Sequence, residues 1–191
     1  MPTGVHIRDP REQLFEAAER VLLRDGPSGL TSRAVTTEAG VAKGVLHRHF
    51  ADFDEFLAEL VHDRARRVDI DSIGLHASAG TGTIAGNLAD VLSRMFESVA
   101  VSIVALVIFR DELRARLRES WPTGIPILAE AVNMVDSYLR AEQAHGRVAA
   151  GADTIAMART LIGAAHLLFA DRTGLPPTQQ EIRALIAHTL R

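Results

Sequence analysis

The 191 residues of the chain are enough for one domain with a sizeable core or for a small domain joined to a larger one. A content of 47% hydrophobic and 24% charged residues is typical of a globular protein and excludes a disordered one. The absence of cysteine excludes disulfides, zinc–thiolate sites and thiol nucleophiles. Because no apolar run approaches the about 20 residues that span a bilayer, and no apolar signal core opens the chain, we expect a cytoplasmic protein with no membrane partner.

Helix signals follow one another along the N-terminal third of the chain. Asp9 and Pro10 predict the start of a first helix, because proline is tolerated at the first helical position, and the turn-forming residues 25–29 predict its end. Further on, Asp52 and Glu55 have the spacing of a capping box and open a helix with an Arg-rich end. Few prolines and abundant Ala, Leu and Arg favour an all-α chain.

The segment from Thr31 to Phe50 has the pattern of two short helices joined by a tight turn. Thr31 is placed to cap the first helix, and Gly40 supplies the residue at which a positive φ costs little. The second helix has an apolar stripe that ends at Phe50, with Lys43 and Arg48 facing away from it or lying at its edge. A helix with an apolar inner side and cationic groups outside is suited to the DNA major groove.

The positive charge of this region is local. Residues 1–67 contain ten Arg and Lys against eleven Asp and Glu, a balance of −1, so their total charge gives no argument for nucleic acid. Within the two-helix segment Arg33, Lys43 and Arg48 oppose only Glu38, which leaves a net charge of +2. We therefore expect a small cationic surface on this segment, flanked by acidic helices.

The remainder of the chain predicts a second helical unit. Residues 73–86, with four glycines and little periodicity, predict a flexible or weakly helical join. Thr178 and Glu181 have the spacing of another capping box. Apolar residues recur at helical spacing in five segments: 83–97, 99–119, 125–144, 153–170 and 178–190. The sequence thus predicts about nine helices, with 1–67 as an N-terminal unit and 68–191 as a C-terminal unit.

The two-helix segment resembles the TetR family of bacterial transcriptional regulators. The family pattern, hydrophobic-Ala-x-x-Ala-Gly-Val-Ser-x-Gly-x-hydrophobic-Tyr-x-His-Phe, is matched here by Val35, Ala39, Gly40, Val41, Lys43, Gly44, Leu46, His49 and Phe50. The chain departs from it at Thr36, Ala42, Val45 and His47, where the family usually has Ala, Ser or Thr, Thr, and Tyr. The resemblance implies an all-α fold, with a three-helix helix-turn-helix domain followed by a helical unit for ligand binding and dimerisation.

Candidate DNA-binding residues lie at the start of the first motif helix and along the second. They are Thr31, Ser32, Arg33, Ala42, Lys43, Gly44, Val45, His47, Arg48 and His49. Lys43 is the only lysine of the chain. In the family a Tyr hydroxyl meets a phosphate where His47 stands here, and both a phosphate contact and simple surface packing remain open for His47.

Two apolar stripes mark the last two predicted helices. In this family the terminal helix pair packs against its copy in a four-helix interface, so the resemblance implies a homodimer. The candidate dimerisation residues are Ala158, Leu161, Ile162, Ala165, Leu168, Ile182, Leu185 and Ile186. The alternative is that both stripes cover the core of the same chain.

The C-terminal unit of the family usually binds a small effector, which shifts the two DNA-binding domains relative to each other. Candidate lining residues are mostly large and apolar: Met95, Phe96, Phe109, Trp121, Met134, Tyr138, His166 and Phe169. This set predicts a hydrophobic or amphipathic molecule. Ordinary core packing is the alternative for each of these residues.

Enzymatic patterns are weak in this sequence. The glycines within 80–82 are not followed by Gly-Lys-Ser/Thr, and 26–29 lacks the G-x-S-x-G spacing of a nucleophile elbow. His47 and His49 lie two residues apart on a helix, which does not suit a shared metal ion, and His166 has no paired nucleophile or carboxylate. We expect neither catalysis nor a cofactor.

The sequence therefore predicts a ligand-responsive DNA-binding regulator, in this family most often a repressor that a small effector releases from a palindromic operator. Its expected partners are double-stranded DNA, the effector and a second copy of the chain. The alternative is a helical small-molecule-binding protein whose DNA-binding domain has lost or altered its function, which His47, Ala42 and the acidic flanking helices leave open.

Overall fold

A computed structural model describes residues 9–170 and 176–190. Within these residues every regular element is an α-helix, and there are ten. The helices are α1 Pro10–Gly29, α2 Ser32–Glu38, α3 Gly44–His49, α4 Phe53–Ala77, α5 Ile84–Glu97, α6 Ala100–Phe109, α7 Asp111–Leu117, α8 Leu128–Ala144, α9 Thr154–Ala170 and α10 Gln179–Thr189. The all-α prediction is confirmed.

Helices α1 to α3 and the start of α4 form an N-terminal unit, called the head below. Its core includes the packed rings of Phe15, Phe50 and Phe56. The centroid of Phe15 lies 5.9 Å from that of Phe50 and 5.6 Å from that of Phe56, and the last two are 5.1 Å apart. All three rings are at least 96% buried. Aromatic side chains contribute large apolar areas on burial, so this cluster fixes how the motif helices sit on α1.

Capping predicted from the sequence is present at several helix ends. Asp9 accepts a hydrogen bond from the Arg11 N–H at 3.0 Å, and Asp52 accepts one from the Glu55 N–H at 2.7 Å. Thr178 and Glu181 form a complete capping box at α10. These side chains satisfy backbone donors that have no partner inside the helix.

The α1 helix bends where its end is predicted. Gly26 has φ 72°, outside the helical region, and Pro27 follows it. One further turn continues to Gly29 before the chain enters α2. Glycine adopts this conformation at little cost, whereas proline removes the N–H that would continue the helix.

Helix α4 is longer than predicted. Residues 73–77 belong to it, so the expected weakly helical join is confined to 78–83. Val68 and Leu75 are 4 and 5% exposed, because this half of α4 packs in the core of the C-terminal unit, called the body below. Tertiary packing thus overrides the low helix propensity of Gly74. The boundary placed after residue 67 falls inside this continuous helix.

The predicted helix over 99–119 is divided at Arg110. This residue has an extended backbone, φ −122° and ψ 95°, and separates α6 from α7, which accounts for ten helices rather than nine. Its guanidinium lies 2.9 Å from the Asp54 carboxylate and 5.5 Å from the centre of the Phe53 ring. These contacts favour a turn towards α4 over a straight helix.

The apolar helices α5 and α6 lie largely in the core of the body. No single helix among the described residues is long and apolar enough to cross a membrane. Only α5 and α6 taken together, with a bend of 56° between them, pass that test by length and composition.

A buried polar network stabilises the part of the body around the end of α4. The Tyr138 hydroxyl accepts a hydrogen bond from the Asn87 amide at 3.0 Å, and burial together with a hydrogen bond to Glu142 raises the pKa of Tyr138 to about 12. Glu142 is fully buried, accepts the Gly80 N–H at 3.3 Å and lies 3.4 Å from the Arg147 guanidinium. Because buried charges are costly without partners, these contacts fix the turn after α4.

His166 on α9 supplies a pH-dependent contribution to stability. Burial lowers the pKa of its imidazole, whose Nδ1 is buried and has no hydrogen-bond partner among the described residues. Below about pH 6.5 the unfolded chain therefore takes up a proton more readily than the native state, and stability falls. We predict that His166→Phe unfolds at higher urea concentration than the wild type in acid, with a gap that widens as pH drops below about 6.5.

Urea titrations at several pH values measure this gap, and replacement of the exposed His47 by Phe is the control that should keep the wild-type pH profile. A gap for His166→Phe that stays constant between neutral and acidic pH would contradict the assignment.

Candidate DNA-binding interface and ligand cavity

The two motif helices and their turn are built by local interactions. The Thr31 hydroxyl accepts the Ala34 N–H at 3.1 Å at the start of α2. Gly40, with φ 67°, ends α2, and the Val41 N–H donates to the Thr36 carbonyl at 3.0 Å. Leu46 on α3 is fully buried. The predicted cap, turn glycine and inward apolar residue are all confirmed.

Seven of the ten candidate DNA-binding residues are exposed: Thr31, Arg33, Ala42, Lys43, Gly44, His47 and Arg48. Ser32, Val45 and His49 are half-buried at the edge of this surface. A Cβ atom added to Gly44 would have no heavy atom within 4 Å, so the space in front of α3 is open. The exposed side of α3 can therefore approach a large ligand closely.

Helix α1 holds the ends of both motif helices. The Arg11 guanidinium lies 3.5 Å from the His49 carbonyl and 3.0 Å from Glu59, and it stacks over the Phe50 ring at 4.6 Å. The Gln13 amide donates to the carbonyl of Ala39 at the end of α2, at 3.0 Å. Sequence analysis missed these residues, because no local pattern tells which carbonyl a distant side chain will reach.

Ion pairs explain how a head with more acidic than basic residues keeps a cationic surface. Glu38 lies 2.7 Å from both Arg20 and Arg24, whose hydrogen bonds lower the pKa of its carboxyl, Arg24 contributing most. In contrast, the side chains of Arg33 and Lys43 make no ion pair or hydrogen bond with the described residues. The same is true of Arg48 on α3. The acidic side chains are occupied, and the cations of the motif are free.

Thr36, one of the departures from the family pattern, is accommodated inside the head. It is 3% exposed, and its hydroxyl donates to the carbonyls of Ser32 and Arg33 at 2.9 and 3.2 Å. A buried hydroxyl costs free energy unless it is hydrogen-bonded, and here it is. The head therefore holds Thr36 without an unpaired polar group.

Most of the candidate dimerisation residues lie in the core of the protomer. Ala158, Leu161, Ile162, Ala165, Ile182 and Ile186 are at most 2% exposed, whereas Leu168 and Leu185 are half-buried. The outer side of the same two helices is exposed. It carries Ala156, Thr160, Gly163 and Leu167 on α9 and Ala184 and Ala187 on α10, beside the exposed Arg159 and Arg183. Leu167 is 74% exposed.

The candidate ligand-binding residues lie in several places. Trp121 and Met134 line one cavity, Met95 lines a second one near the head, and Phe109 is 83% exposed beside an open groove. Tyr138 belongs to the buried polar network described above. Phe96 packs against His166 and Phe169, with ring centroids 6.0 and 5.5 Å away. One cavity lined by all eight is absent from the described part of the chain.

The cavity lined by both Trp121 and Met134 lies between α4 and α8 and is called the α4–α8 cavity below. Its volume is about 360 Å³. It is lined by His62, Ala65, Arg66, Asp69, Ser72, Trp121, Glu130, Asn133 and Met134. Five of these residues form one stripe of α4, which sequence analysis missed because it assigned most of that helix to the head. Helical spacing of the polar residues was the available signal.

Helix α7 connects this part of the body to the head. The Arg116 guanidinium lies 2.5 Å from Asp52, the residue that caps α4 directly after the second motif helix. Arg110 pairs with Asp54, two residues further along the chain. Trp121 follows the other end of α7, and its backbone N–H donates a hydrogen bond to the Leu117 carbonyl at 2.8 Å. The cavity wall and the head are therefore joined through one short helix.

Comparison with known proteins matches residues 14–60 to the bacterial regulatory proteins of the tetR family. The HTH-type transcriptional regulator PksA of Bacillus subtilis is 34% identical over 77 residues, which are 37% of this chain and 38% of PksA. An HTH-type regulator of Haemophilus influenzae is 35% identical over 54 residues, which are 28% of this chain and 29% of that protein. The chain thus aligns with well under half the length of these curated relatives.

Solved structures resemble the whole chain. A TetR-family regulator from Mesorhizobium loti superposes with a TM-score of 0.70 at 17% identity, covering 95% of this chain and 93% of the other. FadR from Bacillus subtilis in complex with stearoyl-CoA gives 0.62 at 20% identity, covering 94 and 95%. The multidrug binding protein EbrR complexed with malachite green gives 0.64 at 19% identity, covering 96 and 99%. Residues 14–60, which contain the two motif helices, thus match the tetR family of bacterial regulatory proteins, and the chain as a whole shares its fold with these solved structures.

Proposed function

We propose that the chain is a cytoplasmic, homodimeric DNA-binding regulator of transcription, acting as a repressor that a small hydrophobic or amphipathic effector releases from a palindromic operator. The observation that carries this proposal is the exposed side of α3, where Lys43 and Arg48 have no partner among the described residues. Free cations on an exposed helix are suited to phosphates, which dominate the affinity of proteins for DNA.

The geometry of α3 favours insertion into the major groove. Gly44 places no side chain at the first position of the helix, and His47 and Arg48 are exposed further along it. The buried Leu46 and the carbonyl contact from Arg11 hold the helix on the head. A rigid helix with an open front is what direct contact with base edges requires.

A second copy of the chain fits the outer side of α9 and α10. Leu167 is 74% exposed, and the exposed small or short residues Thr160, Gly163 and Ala187 lie on the same two helices. Two recognition helices held about one DNA turn apart would read a palindrome with doubled contacts. The outer surface, rather than the buried stripes, is therefore our candidate dimer interface.

The effector response rests on the body. Two proteins of the same fold hold stearoyl-CoA and malachite green, which supports a small-molecule site in this chain as well. Trp121, which lines the α4–α8 cavity, lies in the segment that follows α7. Helix α7 in turn contacts the start of α4 through the ion pair between Arg116 and Asp52. A ligand that moves Trp121 would thereby displace the head.

Gly44→Leu is predicted to abolish binding to DNA from upstream of the gene of this chain, because the added side chain would fill the space that the groove must occupy. The protein fold should be unchanged, since nothing lies within 4 Å of the added Cβ. Gly74→Leu is a matched control, since its Cβ also meets open space, but on α4. An electrophoretic mobility shift measures binding. Retained binding by Gly44→Leu would remove the recognition-helix assignment.

Lys43→Ala is predicted to weaken binding to all DNA sequences alike. Loss of one phosphate contact should reduce the slope of log affinity against log salt by about 0.9 for each recognition helix bound. Fluorescence titrations between low and moderate salt measure the slope. Arg118→Ala, which removes an exposed cation from the body, should leave the slope unchanged. Equal slopes for Lys43→Ala and wild type would exclude a phosphate contact.

Leu167→Glu is predicted to give folded monomers, because it places a charge in the proposed interface but outside the protomer core. Ile73→Glu, at 73% exposure on α4, is the control that should stay dimeric. Leu161→Glu should instead unfold the protein, since Leu161 is fully buried. Sedimentation and circular dichroism separate these results. A dimeric Leu167→Glu, or a monomeric wild type, would contradict the proposed interface.

A further inference from the structure

We propose that the α4–α8 cavity binds an organic cation with a flat apolar body, such as an aromatic amine or amidine. This inference rests on the proposed ligand response and specifies the chemistry of its site. Three features of the cavity lead to it: an aromatic wall, two carboxylates, and cationic side chains that are already occupied.

The aromatic wall consists of Trp121 and His62, whose ring centroids are 4.7 Å apart at an angle of 36°. The indole N–H donates to Glu130, so the ring is held in place at the cavity. Ala65 and Met134, which are 5 and 2% exposed, supply an apolar surface on α4 and α8. A flat apolar group fits such a wall, and the face of an indole also attracts cations.

Two carboxylates line the same cavity from opposite helices. Glu130 on α8 accepts the Trp121 N–H and, through Oε2, the Ile127 N–H at 2.6 Å, and each oxygen retains a second acceptor site. Asp69 on α4 is exposed, and it has no ion pair or hydrogen bond with the described residues. An ammonium or amidinium group would find an acceptor on either side.

The cationic groups of the cavity do not balance these carboxylates. The Arg66 guanidinium lies 2.9 Å from Asp63, which stands outside the cavity lining, and is 62% exposed. His62 Nε2 lies 3.4 Å from the Ser120 hydroxyl. An anionic ligand would meet in Arg66 a guanidinium whose charge is already paired with Asp63, and it would have to approach Glu130 and Asp69. A cation meets unoccupied acceptors instead.

The remaining lining residues are neutral and short. Ser72 and Asn133 add a hydroxyl and an amide, which hydrogen-bond an amidinium as readily as a neutral group. The volume of about 360 Å³ lies at the lower end of the range of small-molecule sites. The cavity therefore suits a compact, singly charged molecule.

Benzamidine, benzamide and benzoate test the charge preference, because they share size and shape and carry a positive, a zero and a negative charge. Trp121 is the only tryptophan of the chain, so its fluorescence responds to binding at this cavity. Because Trp121 also borders a second pocket beside Leu117 and Pro122, variants of the α4–α8 cavity assign the response. The full-length protein should bind benzamidine at least about fivefold more tightly than benzamide and benzoate.

Charge-removing variants locate the site. Asp69→Asn should weaken benzamidine binding by about three- to tenfold and leave benzamide unaffected, as expected for a partly exposed ion pair. Glu130→Gln should weaken it as well. Asp90→Asn, which removes an exposed carboxylate on α5, is the control with no expected effect. Benzoate bound as tightly as benzamidine, no response of Trp121 to benzamidine, or equal benzamidine affinities for Asp69→Asn and wild type would each overturn the proposal.

These titrations contain no DNA, so their result is independent of operator binding. Addition of benzamidine to the protein–DNA complex is a separate measurement. Cation-selective binding with unchanged DNA affinity would support the cavity and contradict the proposed ligand response. DNA release by benzamidine without the charge preference would support the response and overturn the inference about the cavity.

Discussion

One continuous helix, α4, determines how the parts of this protein act on each other. Its 25 residues span about 37 Å at 1.5 Å per residue. The first turn is capped by Asp52 directly after α3, the middle lines the α4–α8 cavity, and Leu75 near the end is buried in the body. Because a packed helix moves as a rigid body, a displacement of α4 at the cavity would be passed to its first turn, which follows α3 after three residues.

The contacts between α7 and the start of α4 are of a kind that a ligand could change. In the pair of Arg116 and Asp52 the side chains are 44 and 49% exposed, and in that of Arg110 and Asp54 they are 33 and 27% exposed. Partly exposed ion pairs contribute about 0–1 kcal/mol each. Coupling between two sites typically amounts to about 1–3 kcal/mol. A few such pairs would thus be sufficient to supply the coupling free energy between two sites, and each is weak enough for a bound ligand to break it.

Local signals in the sequence predict local structure well, and partners across the fold far less. The cap at Thr31, the turn at Gly40 and the capping box at Thr178 depend on neighbouring residues, and the structure contains all three. Apolar periodicity correctly identified an apolar side of α9. It could not tell whether this side faces its own core or another copy, and Leu161 proved to be buried within the protomer. The cavity stripe on α4 likewise required knowledge of what packs beside it.

The charge of the head illustrates the same limit in electrostatic terms. A total of −1 over 1–67 argues against DNA, yet a sum over residues ignores which charges neutralise each other. Glu38 is paired with two arginines of α1, and Glu12 and Glu19 lie 3.0 and 2.5 Å from arginines of α4. These pairs join helices inside the head and cancel locally, because opposite charges in contact produce little field at a distance. What an approaching polyanion meets is the unpaired set on the motif, and that set is positive.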